Sequence, residues 1–164
     1  MATLHKISPC LWFDSVAEDA AKFYVSIFSD ASLGAITRYG PEGPELHGQA
    51  EGSVMSVAFH LEGHSFLALN GGLLLKFNQS GSLQVFCHTQ EEINRLWDDL
   101  SEGGEPGPSG WLRDKFGLAW QVIPSHLGEM ISDPDCTRAD RVMKAMLRMK
   151  RLEISTLERA YNGL

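Results

Sequence analysis

The chain has 164 residues, 43% of them hydrophobic and 21% charged, a balance typical of a globular protein that can bury its own core. Its three cysteines form no C-x-x-C pair, and no stretch approaches the roughly 18 apolar residues of a membrane span, which excludes a disulfide framework and an integral membrane protein. The net charge of −7 is uneven, since residues 136–164 carry seven Lys or Arg against three Asp or Glu.

These features predict a cytoplasmic protein with no membrane partner, because the first residues also lack the apolar segment of a secretion signal. The basic residues after position 136 are spread along predicted helical turns, without interleaved aromatic or glycine residues. No nucleic-acid partner is therefore expected.

The first module, about residues 1–72, has the pattern of a strand, a helix and three further strands. Ser15 and Glu18 have the spacing of a capping box, and apolar residues then recur at helical spacing through Phe28. Turn-forming residues separate the strands that follow. The predicted strands lie near residues 4–12, 33–39, 53–61 and 64–70.

The second module, about residues 80–124, repeats this order at a fixed offset of 74 residues. Residues 8–15 align without a gap with residues 82–89, and Thr89 and Glu92 repeat the capping box. One supersecondary unit used twice predicts two copies that face each other, with a ligand cleft between them. The predicted elements are a strand over 82–88, a helix over 89–101, a short edge strand within the Pro- and Gly-rich run 102–110, and a hairpin over 111–123.

After residue 124 the pattern changes to helices, so a helical tail of about residues 125–164 completes a single domain of residues 1–164. Asp133 and Pro134 have the pattern of a helix cap followed by a first-turn proline. A methionine stripe in the tail, Met143, Met146 and Met149, predicts a core or dimer contact. The alternative is an adaptable surface that docks on a partner and gives the tail an assembly role.

Strand alternation separates the residues under the helices from those that face the predicted cleft. Leu83, Val85 and Cys87 are the apolar set expected under the second helix, and in the first hairpin Leu67 and Leu69 are assigned to the helix side. The predicted ligand-binding residues are therefore Cys10, Trp12, Phe66, Asn70, Gln84, Phe86 and Gln121, with Ser8 and Ser82 at the strand starts.

This set has aromatic walls and neutral amides, which suit a small organic molecule held by stacking and hydrogen bonds. The alternative is that these side chains only pack against one another within the sheets. Cys10 is the one nucleophile in the set, but no histidine is spaced to activate it, so a packing role is favoured.

Two β-α-β-β-β modules, with Phe23 and Tyr24 in the first helix, resemble the vicinal oxygen chelate superfamily, which includes glyoxalase I, extradiol dioxygenases and bleomycin-resistance proteins. The chain is most similar to the PhnB-like branch, labelled 3-demethylubiquinone-9 3-methyltransferase domain, over nearly its whole length including the tail. The resemblance implies an α+β fold of two βαβββ modules with a C-terminal helical extension, and a homodimer. The segments that carry it are LWFD at 11–14, FLALNGG at 66–72, FN at 77–78 and GWLRDKFGLAWQ at 110–121.

Superfamily enzymes hold a metal with His, Glu or Gln at positions that read Ser8, Phe66, Ser82 and Gln121 in this chain. Only one of these four offers an amide and none offers an imidazole or a carboxylate, so no metal is expected. The alternative ligand set is His60, Glu62 and His64, which surround a predicted hairpin turn.

No cofactor is expected either, because the double glycines at 71–72 and 103–104 follow a hairpin strand and a helix. Nucleotide-type cofactor loops instead join a strand to a helix of a parallel sheet. The sequence therefore predicts a protein that binds a small organic molecule without metal. Whether it is an enzyme stays open, and the alternatives are a metal-dependent lyase or isomerase of the glyoxalase superfamily, or a methyltransferase as the family label states.

Overall fold

The computed structural model describes residues 6–164, which divide into two compact units, one that ends at Lys76 and one that spans Phe77–Leu164. Each unit contains one β-α-β-β-β module, and helices follow the second, so the predicted α+β fold with a C-terminal helical extension is confirmed. Within the described residues, no helix is long and apolar enough to cross a membrane. A single domain and a cytoplasmic location stay predictions.

The first unit is a four-stranded mixed sheet covered on one face by a helix. Its strands have the order β1-β4-β3-β2, with β1 parallel to β4 and the other neighbours antiparallel. The elements are β1 (Cys10–Phe13), α1 (Ala17–Ile27), β2 (Ala31–Arg38), α2 (Pro44–His47), β3 (Val54–Leu61) and β4 (His64–Asn70).

The first strand is shorter than predicted. Residues 4 and 5 of the predicted strand 4–12 lie outside the described residues, and residues 6–9 are irregular. Pro9 has no N–H to donate to the sheet, and β1 begins at the next residue. The other three strands of the module begin within two residues of their predicted starts.

The core of the first unit lies between α1 and the sheet. Ala17, Ala20 and Ala21 are fully buried, and their small side chains let the helix approach the strands closely. The Tyr24 ring of α1 stacks on Phe59 of β3, with 6.0 Å between the ring centroids. Aromatic pairs at this separation add to the free energy gained from burial alone.

Helix α1 does not begin with the predicted capping box. Its N-cap residue is Val16, and no side chain of the cap residue accepts a backbone hydrogen bond. Instead, Asn70 at the end of β4 accepts a hydrogen bond from the backbone N–H of Ala17, at 2.8 Å through Oδ1. The prediction of a Ser15 cap is wrong because a neighbouring strand supplies the acceptor that the helix N-terminus needs.

The second unit repeats the sheet of the first. Its strand order, β5-β8-β7-β6, matches β1-β4-β3-β2 element for element, as the sequence repeat predicts. The predicted edge strand is present and contains Pro106. Proline has no N–H to donate to a neighbouring strand, and an edge strand tolerates this because it has a neighbour on one side only. The elements are β5 (Ser82–Cys87), α3 (Gln90–Ser101), β6 (Glu105–Pro106), β7 (Trp111–Arg113) and β8 (Ala119–Pro124).

The predicted Thr89 cap of α3 forms, and Glu92 reaches back to the residue before the cap. Thr89 Oγ1 accepts a hydrogen bond from the Glu92 backbone N–H at 3.2 Å, and Glu92 Oε2 accepts one from the His88 backbone N–H at 2.8 Å. Two backbone donors at the helix start are thereby satisfied by side chains. The two modules therefore share a capping sequence but only the second uses it.

The turn between β7 and β8 is organised by a buried carboxylate. Asp114 is 2% exposed and accepts hydrogen bonds from the backbone N–H groups of Phe116 and Leu118 and from Trp120 Nε1. Buried charge is tolerated in proteins when several donors satisfy it. The turn is therefore fixed to the core through Trp120.

The tail consists of α4 (Leu127–Ile131), α5 (Cys136–Met146) and α6 (Ile154–Asn162). Asp135, rather than the predicted Asp133, is the N-cap residue of α5 and accepts from the Thr137 N–H at 3.0 Å. Met146 and Met149 pack on the core of the tail, whereas Met143 is 37% exposed. This core consists of Leu127, Val142, Leu152 and Leu157.

One glutamine attaches the tail to the second module. Gln90, the first residue of α3, accepts a hydrogen bond from the Ile154 N–H at 2.8 Å and donates one to the Leu152 carbonyl at 3.1 Å. Both polar atoms of one amide thus bind the segment that leads into α6. The helices after β8 are therefore part of the second unit.

Candidate functional site

A row of hydrogen-bonded polar side chains lies on the face of the second sheet that α3 does not cover. Gln84 of β5 and Gln121 of β8 are register partners, and Gln84 Nε2 donates to Gln121 Oε1 at 3.2 Å. Gln121 Nε2 in turn donates to Ser82 Oγ at 2.8 Å. We call Ser82, Gln84 and Gln121 the amide row. Its members hold one another in place across two strands.

Two aromatic residues share this face with the amide row. Phe86 follows Gln84 by two positions in β5, so both side chains project from the same side of the sheet, and Phe86 is 56% exposed. Trp111 of β7 is the register partner of Gln121. Register partners in a sheet project from the same face. The uncovered face therefore combines neutral amides with aromatic surface.

Trp111 was not among the predicted site residues. The register of β7 with β8 is centred on Phe116 and places Trp111 opposite Gln121. Counting back from Gly117 would have placed Arg113 there instead, so the sequence signal fixes the face but not the partner.

The opposite face of the second sheet is buried beneath α3, as the alternation of Leu83, Val85 and Cys87 predicts. Cys87 is fully buried, and Trp120 and Val122, the register partners of Leu83 and Val85, are at most 2% exposed. Burial, together with the nearby Glu92 carboxylate, raises the pKa of the Cys87 thiol to about 12. The thiol is therefore protonated at neutral pH and is not a nucleophile.

The amide row contains no side chain that ionises near neutral pH. The charged residues Arg113 and Glu105 lie on the neighbouring strands β7 and β6 and form an ion pair with each other. The arrangement can therefore orient a molecule through neutral hydrogen bonds and stacking, but the row itself supplies no group for general acid or base catalysis.

Cys10 and Trp12 lie on the uncovered face of the first sheet, as predicted. The Trp12 indole packs so closely on Gly71 that a Cβ there would lie 2.1 Å from the ring, and its Nε1 donates to the Gly72 carbonyl at 2.8 Å. Cys10 is exposed as a residue, and partial desolvation of its thiol raises the pKa. A raised pKa opposes a nucleophilic role for Cys10.

Phe66 and Asn70 lie on the helix side of β4, so their predicted orientation is wrong. Phe66 stacks on the buried Phe59 at a centroid distance of 5.2 Å. Asn70 is 4% exposed, and besides capping α1 its Nδ2 donates to the Val54 carbonyl at 3.0 Å. Both polar atoms of the Asn70 amide are thus used within the protein.

The error has a physical reason. Residues 66–69 of β4 are apolar on both sides of the strand, so alternation alone does not say which side is covered. The register decides it, because Ala68 is paired with Leu11 and Asn70 with Phe13, both buried. Leu67 and Leu69 are consequently on the uncovered face with Cys10 and Trp12.

The residues at the superfamily's metal-ligand positions do not fit a divalent cation. Phe66 has no ligating atom, Ser8 Oγ donates to the Ser65 carbonyl at 2.7 Å, and Gln121 is held in the amide row. Zinc and similar ions need several imidazole, thiolate or carboxylate ligands at one point. No step of a reaction is therefore derived through a metal at these positions.

The alternative ligand set near the first hairpin does not converge either. His60 Nδ1 lies 3.1 Å from Ser65 Oγ, and Glu62 Oε1 accepts a hydrogen bond from the Asp30 N–H at 3.2 Å. Across residues 6–164, no three His, Cys, Asp or Glu side chains are grouped so that they could hold a metal ion.

Comparison with known families identifies the family of the chain. Residues 5–123 match the sequence profile described as 3-demethylubiquinone-9 3-methyltransferase, which spans both modules. The chain belongs to this 3-demethylubiquinone-9 3-methyltransferase family. Membership establishes common descent and fold, whereas activity has to be argued from the site.

Solved structures agree with this family assignment. The chain is similar to the PhnB protein of Bacillus cereus, with 33% identity, a TM-score of 0.63, and coverage of 73% of this chain and 99% of that one. The predicted resemblance to PhnB-like proteins is therefore confirmed. Protein PA1353 of Pseudomonas aeruginosa has the same fold, at 20% identity and a TM-score of 0.60, covering 74% of this chain and 98% of that one. No curated protein matches the chain.

The family match ends at Ile123. The three helices of the tail follow this position, so the family profile does not include them. The expectation that the family resemblance extends over the tail is therefore wrong for this profile. The tail lies outside the residues that match the 3-demethylubiquinone-9 3-methyltransferase family profile.

Proposed function

We propose that the protein binds a small, uncharged, planar organic molecule on the uncovered face of the second sheet. The observation that carries this proposal is the amide row beside two aromatic residues, Phe86 and Trp111. Small-molecule sites typically combine apolar walls with a few polar groups that fix orientation. Cys10 and Trp12 are proposed as ligand contacts on the uncovered face of their own sheet.

The hydrogen bonds within the amide row support this proposal because they fix both glutamines before a ligand arrives. Among the described residues, Gln84 Oε1 makes no hydrogen bond, so it can accept one from a ligand N–H or O–H. A preformed acceptor costs less conformational entropy on binding than a free side chain does.

The exposed ring of Phe86 supports the proposal from the apolar side. A large aromatic side chain that is 56% exposed on a sheet face leaves apolar surface in water, and a stacked ligand would remove it. Stacking of a planar ring on such a side chain contributes about 0.5 to 1.5 kcal/mol beyond the area buried.

The chemistry of the amide row favours neutral over charged ligands. It offers no carboxylate, imidazole or amine to pair with a charge, and the charged residues of strands β7 and β6, Arg113 and Glu105, already bind each other. Binding on this face is therefore expected to be independent of metal ions and nearly constant between about pH 5 and 9.

An NMR titration with assigned backbone amide signals, read at residues 82–86 and 121, tests this function. Benzamide serves as the neutral planar probe, and benzoate and benzylamine serve as charged counterparts. Gln84→Leu is expected to weaken benzamide binding about five-fold through the lost acceptor, and Phe86→Ala is expected to weaken it through lost stacking. The matched control is Gln79→Leu, the same change at an exposed loop position.

The proposal predicts that benzamide binding survives the chelator EDTA and is unchanged in Gln79→Leu. It is contradicted if Gln84→Leu and Phe86→Ala both bind benzamide as the original protein does. Binding that disappears with EDTA, or that requires S-adenosylmethionine, would instead favour a metal-dependent enzyme or a methyltransferase.

A further inference from the structure

The helical tail contains a cavity of about 470 Å³ that is separate from both sheet faces. It lies where α4, the turn after it and the last turn of α6 come together, and its lining includes His126, Glu129, Met130, Asp133 and Tyr161. A volume of this size is typical of small-molecule sites. All of these residues follow Ile123, so the cavity lies outside the residues that match the family profile.

Two carboxylates line the cavity, and no lysine or arginine does. Glu129 is exposed and, among the described residues, forms no ion pair. Asp133 accepts a hydrogen bond from the Tyr161 hydroxyl and another from the Asp135 N–H, and the phenol hydrogen bond is the main cause of the lowered pKa of Asp133. The lowered pKa keeps the Asp133 carboxylate ionised at neutral pH.

The basic residue beside this site is already engaged. Arg138 Nε lies 3.6 Å from Asp135 Oδ2, and its guanidinium lies 5.2 Å from the centre of the Tyr161 ring. Arg138 thus lies next to the cavity without lining it. The negative charge of Glu129 is left without a protein partner in the described part of the chain.

An unsatisfied polar atom adjoins the same cavity. His126 lines it, and the His126 Nε2 atom is buried without a hydrogen-bond partner among the described residues. Glu158 Oε1 is 3.9 Å away, beyond hydrogen-bond distance. A buried polar atom without a partner is unfavourable, and a ligand can supply the missing hydrogen bond.

We propose that this cavity binds a small organic cation, namely a primary amine on an apolar body. The ammonium group would lie between Glu129 and Asp133, and the apolar body would pack against Met130 and Pro134. This preference for a cation is opposite to the preference for a neutral ligand proposed for the amide row, so the two sites are distinguishable with simple probes.

The test is an NMR titration of the full-length protein with benzylamine, with backbone amide signals assigned. Saturable shifts are expected at residues 126–134 and 161, and they should weaken at high salt because the contact is ionic. Glu129→Gln is expected to raise the benzylamine dissociation constant about three-fold. The matched control is Asp140→Asn, which removes one negative charge from α5 outside the cavity.

Three results would overturn this proposal: no saturable shift at residues 126–134, equal shifts with the uncharged benzyl alcohol, or equal weakening by Glu129→Gln and Asp140→Asn. The benzamide titration of the amide row is read at residues 82–86 and 121, so failure of one site leaves the other result intact. Far-UV circular dichroism of each variant verifies that the tail helices are retained.

Discussion

Asn70 connects the end of a strand to the start of a helix through a single side chain. It accepts from Ala17 N–H and donates to the Val54 carbonyl, and it is 4% exposed. Tyr39 adds a third contact, because its hydroxyl donates to the Asn70 backbone carbonyl at 2.5 Å. The residue predicted to bind a ligand therefore has a structural role.

Asn70→Ala is expected to lower the free energy of unfolding by about 2 to 4 kcal/mol, because α1 loses its cap and the half-buried Val54 carbonyl loses its donor. Urea denaturation followed by circular dichroism measures the change. The control is Asn162→Ala near the end of α6, which should change stability by less than about 0.5 kcal/mol. Equal stability of the two variants would contradict the structural role of Asn70.

Gly71 is required by its contact with a tryptophan rather than by backbone conformation. A Cβ at this position would lie 2.1 Å from the Trp12 ring, so Gly71→Ala is expected to displace the indole and break its hydrogen bond to Gly72. Overpacking of this kind costs about 1 to 3 kcal/mol. Gly81→Ala is the control, since nothing lies within 4 Å of its added Cβ.

Tryptophan fluorescence and urea denaturation report this change together. Gly71→Ala should alter the emission spectrum and lower the unfolding midpoint, whereas Gly81→Ala should do neither. An unchanged unfolding midpoint in Gly71→Ala would show that the Trp12 indole can move without loss of stability, which would contradict this prediction.

At the residue scale, the sequence predicts which face of a sheet a side chain occupies where the strand is polar on one side, and it does not where both sides are apolar. Gln84, Phe86 and Gln121 were assigned to the correct face because Leu83, Val85 and Cys87 mark the other. Residues 66–69 of β4 are all apolar, so no polar residue there indicates the uncovered face. Asp114 would be expected in solvent as a turn residue, and hydrogen bonds from Phe116, Leu118 and Trp120 explain its burial.

At the element scale, the two modules have diverged in how their helices begin. Thr89 accepts from Glu92 N–H at the start of α3, whereas the cap residue of α1 makes no side-chain hydrogen bond and Asn70 takes its place. The same capping motif is therefore expected to contribute more to the free energy of unfolding in the second module than in the first.

This divergence predicts unequal effects for matched substitutions. Thr89→Ala is expected to cost about 1 kcal/mol of stability through the lost cap, whereas Ser15→Ala should be within about 0.3 kcal/mol of the original protein. Chemical denaturation of both variants measures the difference. A larger loss in Ser15→Ala than in Thr89→Ala would contradict the capping found in the structure.

Element order was predictable because hairpins leave strong local signals. The turn residues Glu62 and Gly63 both have positive φ angles, 47° and 79°, and they separate β3 from β4 as the sequence indicates. The exact ends of the strands and helices are harder to predict from the sequence. Pro9 shortens β1. Asp135 rather than Asp133 caps α5, and the sequence alone does not distinguish them because both aspartates offer acceptable cap chemistry.

At the scale of the whole molecule, one strand order occurs twice, and the repeat at 74 residues predicts this arrangement. The fold could be predicted because the two copies confirm each other. The tail cavity could not be predicted, since it depends on how three short helices pack around Leu152 and its neighbours. No local pattern specifies such packing.

Cys87 reports on the integrity of the second unit because its thiol is fully buried, with a pKa raised to about 12. A raised thiol pKa favours the folded state below the unfolded value of about 8.5 to 9, and this contribution is lost as pH rises toward 12. At pH 8, iodoacetamide should label the exposed Cys136 in the native protein but label Cys87 only after unfolding. Mass spectrometry of the peptides measures both, and rapid native labelling of Cys87 would contradict its burial.

The central claim is that the amide row and its aromatic neighbours bind a neutral organic molecule without metal. Native mass spectrometry of the purified protein, compared with its denatured mass, tests this most directly and also counts subunits, for which the resemblance implies a homodimer. The account predicts a small organic adduct that is lost on denaturation and is absent from Gln84→Leu and Phe86→Ala. A stoichiometric divalent metal, or an adduct retained by both variants, would contradict it.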